Sequence, residues 1–244
     1  MVHVKKASGE LEEFSERKVR DSLQRAGASP ELIEEIIQHV TSELYEGISS
    51  EHIYTHIFDL LRNKRSVIAA RYNLKRAVME LGPSGYPFEK FFAGVLRQYG
   101  FEATTNNILE GACVKHEVDV IAKRNNDTIM IECKFHNHVG TKSKIRDVLY
   151  TYARFLDVKE KHSFTEAWLV TNTKVTTDVI AYAQCKGMRV VAWNYPSDFS
   201  LRHLIEQSNL HPITALDSLS REKKQDLLKQ GLVFVKDLKE GGEI

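Results

Sequence analysis

The chain has 244 residues, enough for one large domain or two small ones with a real core. Its 34 basic and 33 acidic residues leave a net charge of +1, so nothing global attracts a polyanion and any nucleic-acid surface must be local. Three widely spaced cysteines, Cys113, Cys133 and Cys185, with no CxxC pair argue against a disulfide scaffold or zinc site; with no apolar leader and no bilayer-length apolar run, a cytoplasmic protein without a membrane partner is expected.

Residues 2–14 predict a small β-hairpin turning at Ala7-Ser8-Gly9. Ser15 is placed to cap a helix beginning at Glu16, with Val19, Leu23 and Ala26 on one apolar face and Gly27 as its stop. Ser29-Pro30-Glu31 opens a second helix, in which Leu32, Ile33, Ile36, Ile37, Val40 and Leu44 keep helical spacing up to Gly47. A third helix starts at Ser49 or Ser50 with Ile53, Ile57, Leu60 and Leu61 inward, and a fourth covers residues 66–81. Residues 1–82 therefore read as a hairpin plus a helical bundle. Gly82-Pro83-Ser84-Gly85 then reads as a linker by composition.

Residues 87–99 predict a helix with Phe88, Phe91, Phe92, Val95 and Leu96 on its apolar side and Glu89 beside that face. A short strand is expected at 101–105 and a loop at 106–113. Residues 116–122 and 128–134 are strand-like runs joined by a polar turn at 123–127. Strand parity puts Glu117 and Asp119 opposite Val118, Val120 and Ala122; it puts Thr128, Met130, Glu132 and Lys134 opposite Ile129, Ile131 and Cys133. Pairing the two strands gathers Asp119, Glu132 and Lys134 into one patch. Carboxylate oxygens suit Mg2+, which would polarise a phosphoryl oxygen and acidify a bound water. Lys134 could orient that water or stabilise the transition-state charge. The bland reading of the same residues is a half-exposed strand with solvated charges; the apolar strand before them and the helix upstream favour the site.

His136 and His138 read as loop residues rather than a metal pair. Residues 144–160 predict a long helix with Ile145, Val148, Leu149, Tyr152, Phe155 and Leu156 on its apolar face. Lys142, Lys144, Arg146 and Arg154 give it a basic side, either touching a phosphate backbone or simply solvated. Strands at 166–171 and 188–193 bracket a helix at 176–186, which implies a mixed sheet covered on both faces. Residues 201–208 and 211–238 predict further short helices, the latter around a glycine turn. Lys223, Lys224 and Lys229 either meet a DNA backbone there or belong to a packing helix pair. Gly140-Thr141-Lys142-Ser143 lacks P-loop spacing, so hydrolysis by a Walker motif is not expected.

Two family resemblances rest on these residues. Val4-Lys5-Lys6-Ala7-Ser8-Gly9, then Phe14, Lys18 and Val19, then Gly47-Ile48-Ser49-Ser50 with Ile53, then Ala70-Arg71-Tyr72, together resemble the ATP-cone. That is the regulatory nucleotide-binding domain of ribonucleotide reductases and their repressors, and the match spans nearly all of residues 2–80. It implies ATP or dATP as a regulatory ligand held at Val4, Lys5, Lys6, Glu12, Ser15, Lys18, Ser50 and Tyr54. The lysines would meet phosphates; Glu12, Ser15, Ser50 and Tyr54 would line the nucleoside. Ala7 and Ser8 stand where the family carries Arg and Asp, which removes one expected phosphate contact.

Asp119, twelve residues, then Glu132-Cys133-Lys134, with Phe88-Glu89 on the preceding helix, resembles the PD-(D/E)xK signature of Mrr-like restriction endonucleases. The expected α-β-β-β-α-β-α-β order is similar to their core. The resemblance implies Glu89, Asp119, Glu132 and Lys134 as catalytic residues. It implies Asp119, Glu132 and, through its carbonyl, Cys133 as Mg2+ ligands. The last segment, from residue 201, resembles half of a helix-hairpin-helix module. The expected architecture is α+β and α/β: an N-terminal helical ATP-cone with a hairpin (1–82), a restriction-endonuclease-like core (86–200) and a helical tail (201–244). The expected function is nucleotide-regulated, Mg2+-dependent cleavage of DNA by a homo-oligomer. The alternatives are a non-catalytic nucleotide-sensing nucleic-acid-binding protein and a nucleotide-gated oligomerisation module.

Overall fold

The computed structural model describes residues 2–6, 9–64 and 66–240, so the turn expected at Ala7 and Ser8 lies outside the described residues. The chain forms two compact units, Met1–Arg76 and Ala77–Ile244.

In the first unit, β1 (His3–Lys5) and β2 (Leu11–Glu13) pair antiparallel, with Val4 opposite Glu12. The helix α1 (Glu16–Arg25) begins where the Ser15 hydroxyl accepts the Lys18 N–H at 3.4 Å. It stops at Gly27, whose φ of +86° favours a residue without Cβ. Ser29 caps α2 (Pro30–Ser42) in the same way. The chain then adds β3 (Ile48–Ser49), parallel to β1, so the expected hairpin is in fact a three-stranded sheet. A two-residue strand carries no periodicity, which is why the sequence does not announce it.

Ser49, rather than Ser50, caps α3 (Ser50–Lys64), its hydroxyl accepting the His52 N–H at 3.0 Å. The expected fourth helix is two, α4 (Ser66–Tyr72) and α5 (Leu74–Met79), interrupted at Asn73. Asn73 is buried, and its side-chain oxygen accepts the Tyr54 hydroxyl at 2.6 Å. Leu23, Ile33, Ile36, Val40, Ile57 and Leu61 form the core between these helices.

The second unit runs α6 (Tyr86–Gln98), β4 (Glu102–Glu110), β5 (Lys115–Arg124), β6 (Asp127–Lys134), β7 (Lys142–Ser143), α7 (Ile145–Lys159), β8 (Glu166–Thr171), β9 (Lys174–Val175), α8 (Thr177–Cys185), β10 (Arg189–Val191) and α9 (Leu201–Ser208). A 3-10 turn (Ile213–Ala215), α10 (Arg221–Lys229) and α11 (Asp237–Glu240) follow. The main sheet has the order β10-β8-β6-β5-β4; β4, β5 and β6 form an antiparallel meander, and β8 and β10 add on in parallel. Helices α7 and α8 cover one face through Val148, Phe155, Val158 and Val179 against Met130, Leu169 and Val190. The pair β7 and β9 was not expected; it ties the chain before α7 to the chain before α8.

Four expectations change. The β4 strand continues through the predicted loop to Glu110. It is an edge strand with Ile108 74% exposed, so its second half lacks apolar alternation. The β5–β6 connection is the two-residue turn Asn125-Asn126, with Asn125 at φ +54°. On α7, Ile145, Leu149 and Leu156 are exposed, while Thr151 and Val158 are buried with Val148 and Phe155. Residues 82–85 are not a linker: Asn137 donates to the Pro83 carbonyl at 3.1 Å, and a Cβ on Gly82 would lie 2.3 Å from Asn137 Oδ1.

The C-terminal segment packs into the second unit as well. Phe234 packs on Phe91 with ring centroids 5.1 Å apart and planes tilted by 31°, and occupies the space a side chain at Gly94 would need. Thr214 donates to the Ala77 carbonyl at 2.6 Å, and Lys224 is drawn to Glu80 at 3.6 Å. Among the described residues no helix is long and apolar enough to cross a membrane.

Candidate active site

The site forms where the β4–β5–β6 ladder opens at Asp119. Pairing between β4 and β5 skips the position of Asp119, opposite Asn106, which adopts φ +58°; pairing between β5 and β6 ends at Val120 and Ile131. The strict alternation expected along β5 is therefore interrupted, and Val118 joins Met130 and Val148 in the core under α7. The Asp119 carboxylate replaces the missing backbone partner: its Oδ2 accepts the Cys133 N–H at 2.7 Å. One short bond thus fastens the aspartate to the Glu-Cys-Lys stretch.

Glu132 is only 16% exposed, and its Oε2 accepts from Arg154 Nη1. Arg154 also donates to the Tyr150 hydroxyl at 2.7 Å and lies over that ring. The arginine is itself 11% exposed, so it is neither solvated nor presented to a backbone, the two fates its sequence position suggested. It is instead the counter-ion of Glu132. Lys134 stays more open, with Nζ 3.9 Å from Asp147 Oδ1. Asp147 is held by the Lys144 N–H at 2.9 Å, an acidic side chain in the first turn of α7 bonding back to the residue before the helix.

Electrostatics bind these groups into one cluster. Burial, then the Asp119 charge, push the Glu132 carboxyl up to about 7, against the opposing pull of Arg154 and Lys134. Burial likewise pushes Glu89 on α6 up to about 7, with Asp119, Glu117 and Glu132 adding repulsion. Asp119 is raised by burial and held back by the Cys133 N–H and by Arg154. The Cys133 thiol is buried and lifted well above its usual range. Glu89, Asp119, Glu132 and Lys134 therefore belong to one set of electrostatically interacting groups.

Asp147, Arg154 and His136 were not predicted as site residues. His136 is a fixed residue: its N–H donates to Asn172 at 2.8 Å, its ring meets Ser143 at 2.9 Å, and burial holds it neutral. An acidic residue in the first turn of the expected helix was the one local hint at Asp147; nothing local marked the other two.

In the first unit, Lys6 and Lys18 converge on Glu12, whose carboxyl they hold down at about 2. Lys5 is exposed and pairs across to Ser49, directly before Ser50. Three other candidates are committed to the fold. Val4 is 8% exposed within the core, Ser15 caps α1, and Tyr54 is bonded to Asn73 and stacked on Tyr72 at 5.1 Å.

Comparison with known proteins agrees with this layout. Residues 2–78 match the ATP cone domain, residues 82–196 the restriction endonuclease domain of the Mrr type, and residues 211–244 the AF1548-like C-terminal domain. An uncharacterized protein of Archaeoglobus fulgidus is 44% identical over 151 residues, which is 62% of this chain and 85% of that protein. The crystal structure of AF1548, a protein of unknown function, superposes with a TM-score of 0.59 at 42% identity, covering 65% of this chain and 85% of that one. The chain belongs to the family of these AF1548-like proteins, and within it carries an ATP cone followed by an Mrr-type restriction endonuclease domain.

Proposed function

We propose that the second unit is a Mg2+-dependent endonuclease that hydrolyses DNA phosphodiester bonds, and that an adenine nucleotide on the first unit regulates it. One observation carries the reading: two half-buried carboxylates, Asp119 and Glu132, sit on neighbouring strands with raised proton affinity, near Lys134. Each has one oxygen committed, to Cys133 N–H and to Arg154, and one remaining as a hard donor. The burial and mutual repulsion that make them hold protons would be relieved by a divalent cation, so the residues fit one. Asp119, Glu132 and the Cys133 carbonyl would hold it. When bound, Mg2+ polarises a phosphoryl oxygen and acidifies a coordinated water.

The chain's own groups do the rest. Lys134, steered by Asp147 yet open to solvent, holds the attacking water or a phosphoryl oxygen. Glu89, balanced near neutrality, can take up or release a proton beside the reacting phosphate. In the first unit, Lys6 and Lys18 are the phosphate contacts, with Glu12 between them. The exposed stripe of Ile145, Leu149 and Leu156 on α7 supports pairing of two copies, which cutting both strands of a duplex requires.

The test is plasmid cleavage with Mg2+, with and without ATP, and with a non-hydrolysable analogue. Lys134→Ala should bind DNA like the parent and lose cleavage; an unchanged cleavage rate removes Lys134 from the chemistry. A wild-type chain that binds DNA but never cuts would favour the nucleotide-sensing, non-cleaving alternative. A rate or mass that shifts with ATP and equally with the analogue supports regulation by occupancy, worth typically about 1–3 kcal/mol of coupling.

A further inference from the structure

The first unit carries a second constellation that the nucleotide residues do not use. His39 and Glu43 stand one helical turn apart at the end of α2, and His56 comes from α3. The two imidazole rings stack with centroids 4.9 Å apart and planes 19° apart. His39 Nε2 lies 3.6 Å from Glu43 Oε1, and His56 Nε2 lies 3.4 Å from Glu43 Oε2. All three ligating atoms fall within 4.8 Å of one another.

These contacts are not a satisfied hydrogen-bond set. The first is too long for one, and His56 Nε2 is shielded from solvent with no hydrogen-bond partner. The spacing matches a different object. With metal–ligand bonds of about 2.1 Å, the ligand atoms of a tetrahedral ion stand about 3.4 Å apart.

We infer that His39, Glu43 and His56 bind a divalent transition ion of the Zn2+ class, clamping α2 to α3. Two imidazoles and one carboxylate favour such an ion over Mg2+, which prefers oxygen donors. Three protein ligands leave a fourth position for water. His39 also lines a surface cleft of about 510 Å³ shared with Glu35, Gln38, Ser42 and Lys64.

The test uses the full chain, stripped of metal and returned to excess Mg2+ to occupy hard-oxygen sites. Co2+ titration followed by its visible d–d absorption, and Zn2+ titration by calorimetry, read out stoichiometry and affinity. The parent should bind one ion, and Asp119→Asn should bind it unchanged. His39→Gln, at a side chain 47% exposed and so safe for folding, should weaken binding by about 100-fold or more, since even partners outside the coordination shell are worth about 10–100-fold. Glu43→Gln should weaken it in the same direction. Zn2+ should raise the melting temperature of the parent and leave that of His39→Gln in place. Equal affinity in parent and both variants overturns the site, as does the absence of any Co2+ spectrum. Loss of the ion in Asp119→Asn would also overturn it, by moving the ion to the second unit's carboxylates.

Discussion

The Glu132–Arg154 pair offers the sharpest test of the site's electrostatics. Arg154→Met keeps the aliphatic stem and deletes the charge, leaving Glu132 buried without its counter-ion. Breaking a buried pair by removing one partner costs about 3–5 kcal/mol, provided the orphan must stay charged. Here it need not. Glu132 already sits at about 7 against an ordinary 4.5, and without Arg154 it moves higher still.

The sign follows from that elevation. A carboxyl whose folded-state proton affinity exceeds its unfolded one favours folding most at low pH, and that contribution fades as pH rises from 4.5 through the folded value. As pH falls below the folded value Glu132 takes up its proton in parent and variant alike, and by pH 5 the loss should shrink toward about 1 kcal/mol for the hydrogen bonds forgone. At pH 8.5 it should approach the full 3–5 kcal/mol of a broken buried pair. Urea unfolding followed by tryptophan fluorescence isolates the second unit, because Trp168 and Trp193, the only two tryptophans, both lie there. An equal loss at both pH values, or none, would refute the claim that Arg154 balances the charge of Glu132.

Three further outcomes are expected. Because Glu132 and Glu89 hold protons up to about 7, Mg2+ should bind more tightly as pH rises from 6 to 8, with proton release visible as buffer-dependent heat; a flat profile contradicts this. ATP affinity measured by calorimetry should fall for Lys6→Ala and for Lys18→Ala by about 1.5–3 kcal/mol each, or roughly ten- to hundred-fold; no change in either rejects the pocket. Phe234→Ala should destabilise the second unit by about 3–5 kcal/mol, since that ring is 6% exposed and fills the space above Gly94 against Phe91; a loss below about 1 kcal/mol would mean that the segment is only loosely attached.

Much of this protein was legible in its residues. Helices with strong start signals, Ser15-Glu16 and Ser29-Pro30, begin where their caps dictate, because capping chemistry is local. The strand β6, which carries Glu132 and ends at Lys134, was readable from alternation, and the carboxylate–lysine spacing pointed to the candidate site. Elements stabilised only by a distant partner were not readable. β3 exists because β1 lies beside it, and the second half of β4 because β5 pairs with it; neither has a pattern of its own.

The site divides along the same line. The sequence by itself placed the candidate groups Glu89, Asp119, Glu132 and Lys134 on their helix and strands. The tertiary structure alone decided their state. Opening the ladder at Asp119 turned its carboxylate toward the Cys133 N–H, and folding α7 over the sheet made Arg154 the partner of Glu132. Proton affinity depends on desolvation and on charges brought together from afar, and neither is a property of neighbours along the chain.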